Sequence, residues 1–187
     1  MGDWPNRDEA QAILDEWISD ANLKKHCYAV EAAMRAYAGK LGADEEKWGV
    51  VGLLHDFDYE RYPDLESHPF KGVEYLRGRG HPDELVDAVL AHAEHTGVER
   101  DTDLKKAIYA VDELAGLIVA VALTRPSKKL ADVTVESVMK KWNEKAFARG
   151  VDRNMIRTGA EELNVSIKEH VGTVLNAMQG ISSKLGL

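Results

Sequence analysis

Cysteine, long apolar runs and targeting segments are scarce in this chain of 187 residues. Cys27 is the single cysteine, which excludes an intrachain disulfide framework and is typical of a reducing compartment. The longest uncharged apolar run, LAGLIVAVAL at residues 114–123, is too short to cross a bilayer. The stretch MGDWPNRDEAQ at residues 1–11 has no basic segment followed by an apolar one. We therefore expect a cytoplasmic protein that does not bind membranes.

Positive charge is also in short supply. Lys and Arg total 24 against 32 Asp and Glu, so the net charge is −8 and the pI is near 5.4. An acidic chain repels a phosphate backbone, and we expect no general nucleic-acid binding. A small phosphorylated substrate remains compatible, because a bound divalent metal can dominate the local field. The composition leaves the oligomeric state open.

Helical spacing replaces strand-like alternation along the chain. Apolar residues recur at helical intervals, and glycine and proline interrupt them. The pattern predicts helices at about residues 8–20, 22–41, 44–56, 69–78, 82–95, 102–123, 134–148, 153–163 and 167–179. The expected fold class is all-α, with one domain of eight or so helices over residues 1–187.

Ionisable side chains occupy several positions that this pattern would bury or place at helix ends. They are His26, His55, Asp56, His68, His92 and Asp112. Taken singly, each has a local interpretation. A histidine on an apolar face is commonly a hydrogen-bonded core residue, a buried aspartate can bond a backbone amide or an arginine, and a histidine before a proline can cap a helix.

Taken together, the six residues favour a metal site. Four inward histidines and two aspartates from five helix regions would leave several buried polar groups in need of partners. A divalent cation satisfies all of them at once. Mixed imidazole and carboxylate ligands suit Fe, Mn, Co, Ni or Zn, and Mg is possible. The sequence therefore predicts one or two divalent transition-metal ions.

The order of these residues carries a resemblance to a known family. The arrangement His26 … His55-Asp56 … Asp112 resembles the HD-domain superfamily of metal-dependent phosphohydrolases. HPFKGVEYL resembles the H-P-x-x-G-x-x-L segment of members with two metals, and AVLAHAEH resembles the histidine helix that follows it. VGLLHDFDYERYP and YAVDELAGLIVAVALTRPSK are similar to segments of an uncharacterised group of predicted HD hydrolases.

The resemblance implies a fold and a division of the chain. It covers about residues 22–125, which would form the metal-binding core of an HD-type helical bundle. Residues from about 130 to 187 would form a C-terminal helical extension of the same domain. The implied activity is hydrolysis of a small phosphorylated metabolite or nucleotide.

The resemblance also implies roles for single residues. His26, His55, Asp56 and Asp112 would hold one metal, and Asp56 would bridge to a second metal held by His68 and His92. Asp56 and Asp112 would be the catalytic carboxylates: the first fixes the metal separation, and the second can accept a proton from the attacking water.

The chain departs from the family pattern at two places. HDFDYE stands where many members read H-D-I-G-K, so the lysine and glycine of that motif are missing. The paired histidines of two-metal members are spread here as His92 and His95. His95 is a candidate third-site ligand or substrate contact, or else a solvent-side histidine favoured by the helix dipole.

Few cationic side chains that could hold a substrate phosphate lie near His55 and Asp56 in the sequence. Arg61 and Lys71 flank the segment between the two halves of the predicted site and are the nearest candidates in sequence. The basic cluster TRPSKK lies about 13 residues beyond Asp112, or roughly 20 Å along a continuous helix. We therefore expect it to be a solvated helix end.

Two other functions are compatible with the same residues. HD-fold proteins resembling inositol oxygenase use this ligand pattern for a mixed-valence di-iron centre that cleaves C–H bonds with O₂. A metal-bound or degenerate HD module could also bind a nucleotide without turnover. Loss of a ligand is the usual sign of such a module, and all six ligands are present here.

Overall fold

The computed structural model describes residues 2–144 and 146–187 of the chain, and within them it contains helices and no strand. The predicted all-α class is confirmed. The α-helices, in chain order, are α1 (Arg7–Trp17), α2 (Ala21–Leu41), α3 (Glu45–Leu54), α4 (Phe70–Gly78), α5 (Asp83–Ala91), α6 (Asp103–Leu123), α7 (Val135–Trp142), α8 (Arg153–Glu162), α9 (Ile167–Gly180) and α10 (Ser182–Leu185). Short 3₁₀ turns lie at Glu94–Thr96 and Leu130–Asp132.

Side-chain caps fix the starts of three helices that position candidate ligands, α2, α3 and α6. Asp20 accepts hydrogen bonds from the amides of Asn22 and Leu23 at the start of α2, and Asp44 caps α3 in the same way. Thr102 caps α6. α2 ends at Gly42, whose φ of 68° is the left-handed conformation that glycine adopts without strain.

α6 is the central helix of the bundle. It is apolar on several sides, as expected of a helix enclosed by others. α2, α5, α8 and α9 pack around it, and Leu114, Leu117, Ile118 and Val121 are fully buried there. Asp112 is therefore held in the middle of the central helix.

α2 and α3 approach each other closely at one glycine. A Cβ on Gly52 would lie 2.8 Å from the Cα of Glu31 and 2.9 Å from the carbonyl oxygen of Val30. No larger residue fits there without moving one helix. This contact fixes the distance between the two helices that carry His26 and His55.

Three helices end clearly earlier than their patterns predict. α1 ends at Trp17 rather than near residue 20. α5 ends at Ala91 rather than near residue 95, so His95 lies in the 3₁₀ turn that follows. α7 ends at Trp142 rather than near residue 148; residue 145 of that range lies outside the described residues. Arg153 explains the early end, because its guanidinium donates to carbonyl oxygens before and after the turn, those of Trp142, Phe147, Ala148 and Val151. A side chain from α8 thus donates hydrogen bonds to four carbonyl oxygens around this turn.

The C-terminal helices are tied to α2 and α6 by a buried hydrogen-bonded chain. Nε2 of His170 in α9 donates to the carbonyl oxygen of Ala110 over 2.8 Å. Its Nδ1 must then accept, and it takes the Tyr37 hydroxyl of α2 at 2.5 Å. α9 is therefore bonded to both helices that flank the candidate site.

No helix in the described part of the chain has the length and apolar character needed to cross a membrane.

Candidate metal centre

The structure brings the six predicted ligands together from five places in the fold. His26 lies in the second turn of α2 and Asp112 in the middle of α6. His55 caps the end of α3, with Asp56 directly after it. His68 stands two residues before α4, and His92 follows the last residue of α5. Their side-chain donor atoms fall into two groups that each could hold a metal ion.

The first group contains His26, His55 and Asp112. Nε2 of His26 lies 2.9 Å from Oδ1 of Asp112 and 3.2 Å from Nε2 of His55. Nε2 of His55 lies 3.5 Å from the same aspartate oxygen. These atoms lie within 4.8 Å of one another, a separation from which one ion can contact all three.

The second group contains Asp56, His68 and His92. Oδ1 of Asp56 lies 3.3 Å from Nε2 of His68 and 3.4 Å from Nε2 of His92. The other oxygen, Oδ2, faces the first group, at 3.6 Å from Nε2 of His55 and 3.8 Å from Nε2 of His26. Asp56 therefore presents one oxygen to each group.

The outward nitrogens of two of the histidines are already hydrogen-bonded. Nδ1 of His55 donates to the carbonyl oxygen of Gly52 over 2.8 Å, and Nδ1 of His92 donates to that of Val89 over 2.5 Å. A carbonyl only accepts, so each Nδ1 carries the proton and each neutral ring turns a lone pair inward at Nε2. This is the tautomer and orientation that a metal ligand requires.

Asp58 holds the ring of His68, and sequence reasoning did not identify it. It is fully buried, and Oδ1 accepts from Nδ1 of His68 over 2.7 Å. Oδ2 accepts from the amide of Gly72 in α4 over 2.7 Å. The sequence shows only that Asp58 follows Asp56 by two positions, in HDFD. In a turn this spacing does not predict which way a side chain points.

The second group is a cluster of acceptors without a donor when its rings are neutral. Nε2 of His68 and Nε2 of His92 face each other at 3.1 Å, and Oδ1 of Asp56 faces both. Three electron-rich atoms at this separation repel one another unless a cation or added protons lie between them. The donor set therefore fits a divalent metal ion, and its nitrogen and oxygen atoms suit a transition metal.

Added protons can take the place of a metal between these atoms, and the raised pKa values of His55 and His68 show that the site favours them. Burial, the strongest influence, lowers the pKa of His55, but Asp56 and Asp112 raise it by more, to about 9. Burial is again the strongest influence and lowers the pKa of His68, but the hydrogen bonds that the carboxylates of Asp56 and Asp58 accept raise it to about 9. For Asp56 itself, burial raises the pKa, while His55 and the other histidines hold it well below its usual range.

A cavity of about 720 Å³ opens over both groups. Tyr59, Leu65 and Met155 form its apolar wall, and Glu94 and Glu113 add two carboxyl groups beyond the candidate ligands. Burial and the charge of Asp112 raise the pKa of Glu113 to about 7. No lysine or arginine of the described residues lines this cavity.

Of the three predicted substrate contacts, one lines the cavity and two do not. His95 lines the cavity, and its Nε2 donates to the carbonyl oxygen of His68 over 2.9 Å. Arg61 and Lys71 do not line it. The Arg61 guanidinium stacks on Trp17, 4.4 Å from its ring centroid. Lys71 pairs with Glu74 over 2.9 Å on the exposed face of α4. Nearness in sequence does not bring either side chain to the cavity, because Arg61 packs on Trp17 and Lys71 lies on the exposed face of α4.

Curated proteins similar to this chain share a name. Ribonuclease Y 2 of Bdellovibrio bacteriovorus is 29% identical over 147 residues, which cover 76% of this chain and 26% of that protein. Ribonuclease Y of Fusobacterium nucleatum is 29% identical over 114 residues, covering 60% and 21%. Ribonuclease Y of Lactobacillus acidophilus is 33% identical over 95 residues, covering 50% and 17%.

The chain thus spans about a quarter or less of the length of these relatives. No solved structure matches the chain. The model of the HD domain family matches residues 23–117, which contain all six candidate ligands and just over half of the chain. The protein belongs to the HD domain family.

Proposed function

We propose that the protein is a metal-dependent phosphohydrolase that acts on a small phosphate ester. The observation that carries the proposal is the position of Asp56, whose two oxygens face two separate ligand groups. A carboxylate placed in this way can hold two ions at the short separation that in-line displacement at phosphorus uses. The ions would be divalent transition metals.

The residues of the two groups have distinct roles in this proposal. His26, His55 and Asp112 would hold one ion, and His68 and His92 the other, with Asp56 shared. Such metals, when bound, lower the pKa of a coordinated water and neutralise charge that develops on the phosphoryl oxygens.

Asp112 has a further role in this proposal. It turns Oδ1 toward His26 and His55, which leaves Oδ2 to receive the proton of the attacking water. The apolar wall formed by Tyr59, Leu65 and Met155 would lie beside the reacting phosphate.

The charge of the cavity favours a small substrate. No lysine or arginine of the described chain lines it, so the charge of the substrate must be balanced mainly by the metals. The net charge of −8 also opposes binding of a polynucleotide. The name ribonuclease Y of the similar proteins makes an RNA phosphodiester the rival substrate.

A panel of phosphate esters tests the proposal. Protein reconstituted with Mn²⁺, Co²⁺, Fe²⁺ or Mg²⁺ is assayed with phosphomonoesters, small cyclic and linear phosphodiesters, nucleotides and a short RNA. We expect release of phosphate or cleavage of a small ester, and loss of that activity in Asp56→Ala with His81→Ala unaffected. Hydrolysis of RNA alone would overturn the small-substrate assignment. Substrate-dependent O₂ uptake by the di-iron protein, without hydrolysis, would replace the proposal by the oxygenase function.

A further inference from the structure

A second cavity adjoins the first at His26. It has a volume of about 470 Å³ and lies between the first turns of α2, the second half of α6 and the end of the chain after α9. His26 lines both cavities, so the second one begins at a candidate metal ligand. We call this second cavity the α2–α6 cleft.

One face of α6 forms the floor of the α2–α6 cleft. Gly116, Val119 and Leu123 line it, and they follow Asp112 at helical spacings of four, seven and eleven residues. At 1.5 Å per residue, this row leads away from Asp112 for about 16 Å. A group attached to a phosphate near Asp112 can therefore continue along the same helix face.

Gly116 keeps the cleft open where it leaves the metal centre. A Cβ at this position would have a single side-chain atom within reach, Cγ2 of Val151 at 4.0 Å. The space next to Gly116 is thus unfilled, although a larger residue would fit the helix. Glycine in a helix interior costs up to about 1 kcal/mol relative to alanine. Nothing in the packing of α6 requires that cost, since no neighbouring backbone approaches this glycine.

The α2–α6 cleft contains a cationic side chain, which the first cavity lacks among the described residues. Lys25 lines the cleft, and it is the one lysine or arginine of the described residues that lines either cavity. Its ammonium group is in no ion pair with a described residue. No acidic residue of the described chain lines the cleft.

We propose that the α2–α6 cleft binds the organic group of the substrate, an elongated and largely apolar group that ends in an anion. The ester would place its phosphate at the metal groups, its apolar part along Gly116 and Val119, and its anionic end at Lys25. This assignment rests on the proposed function, since it takes the reacting phosphate to lie at the metal groups.

Alkyl phosphonates of increasing chain length test this assignment by direct binding. Affinities of methyl to octyl phosphonate, and of the same series with a terminal carboxylate, are measured by calorimetry on the metal-loaded protein. We expect the affinity to rise by up to about fourfold per methylene until the cleft is filled. A terminal carboxylate at the matching length should add to the affinity, and Lys25→Gln should remove that increment.

Gly116→Leu supplies the structural half of the test, with Gly172→Leu as its matched control. Both glycines lie inside helices and are half-buried, and the nearest atom to a Cβ is a valine Cγ2 in each, at 4.0 and 3.7 Å. The ratio of octyl to methyl affinity should fall close to one in Gly116→Leu, fall partly in Gly116→Ala, and stay unchanged in Gly172→Leu. Circular dichroism and the thermal midpoint establish that each variant is folded.

The outcomes separate the two proposals. Phosphonate binding or ester hydrolysis without any dependence on chain length, or with a dependence that Gly116→Leu leaves intact, would overturn the cleft assignment and leave the hydrolase standing. Absence of both phosphonate binding and ester hydrolysis in the metal-loaded protein would overturn the hydrolase, and the cleft assignment with it.

Discussion

Nδ1 of His68 donates a 2.7 Å hydrogen bond to Oδ1 of Asp58, and both side chains are buried. The bond fixes the ring so that Nε2 points at Asp56 and His92. Asp58 is itself anchored by the amide of Gly72 in α4. The orientation of one candidate ligand is thus set by a residue that does not face the cavity.

Asp58→Asn should weaken metal binding. The asparagine has one acceptor oxygen for two donors, the Nδ1 of His68 and the Gly72 amide, so one donor loses its partner or the His68 ring changes tautomer. Loss of such a supporting carboxylate typically costs about 10- to 100-fold in metal affinity. Competition with a chromophoric chelator measures it. Asp101→Asn, which removes an exposed carboxylate paired with Lys105, is the control. Equal affinities of the two variants would contradict the role of Asp58.

Asp56 and Asp112 should differ in metal stoichiometry. Asp56→Ala removes an oxygen from both ligand groups, so we expect both ions to be lost together. Asp112→Ala removes a ligand from the first group alone and should leave the His68–His92 group able to bind one ion. Elemental analysis of protein dialysed against limiting metal gives the ions per chain, with His81→Ala as the control. Full occupancy in Asp56→Ala would contradict the shared position of Asp56.

Two glycines that look alike in the sequence should respond oppositely to alanine. At Gly52 the new methyl group would lie 2.8 Å from a backbone atom of Glu31, and overpacking of this kind costs about 1–3 kcal/mol in the free energy of unfolding. At Gly116 the nearest atom is 4.0 Å away, so the gain in helix propensity should stabilise the protein by up to about 1 kcal/mol. Urea unfolding of both variants measures the difference. Equal effects would show that α2 and α3 can separate freely.

The buried histidine of α9 should make the protein less stable in mild acid. Burial, the largest influence, lowers the pKa of His170 from 6.5 to about 4. Between these two values the unfolded chain binds a proton that the folded chain does not, so the free energy of unfolding falls as the pH falls through this window. It is fully restored above the unfolded pKa. The lost stability approaches about 3 kcal/mol, because a difference of one in pKa between the folded and unfolded chains corresponds to about 1.4 kcal/mol.

His170→Gln isolates this effect from the titration of the other histidines. Urea unfolding of the metal-free protein and of the variant is compared from pH 7 to pH 4. The stability advantage of the unsubstituted protein over the variant should shrink toward pH 4. An advantage that is constant with pH would mean that His170 is not neutral in the folded protein.

The sequence predicted the helical class and the convergence of the ligands for the same reason. His26, His92 and Asp112 lie in phase with apolar residues on their helices, and a helix that buries its apolar face carries such residues inward with it. His55 and His68 each stand at a predicted helix end, where periodicity gives no direction, and they were included because several ionisable side chains beside apolar segments would otherwise lack partners. The match of the HD domain family to residues 23–117 confirms the family resemblance.

Several contacts that the sequence did not predict involve irregular segments. Asp58 and Arg61 belong to the turn after α3, where one side chain is buried and the other packs on Trp17. The early end of α7 depends on Arg153, a residue from the next helix. Such contacts join residues from different segments of the chain, so no local sequence pattern predicts them.

The bond from His170 to the carbonyl of Ala110 has a consequence for where this protein can be cut. A fragment of residues 22–125 would retain all six candidate ligands. It would nevertheless lose the partner of Tyr37 and leave bare the side of α6 at Ala110, where Gly159 lets α8 approach closely. α8 and α9 contain no candidate ligand, yet they hold α2 and α6 in place and so keep His26 opposite Asp112. A shortened protein would retain the ligand atoms but not the rigid arrangement that lets them bind a metal.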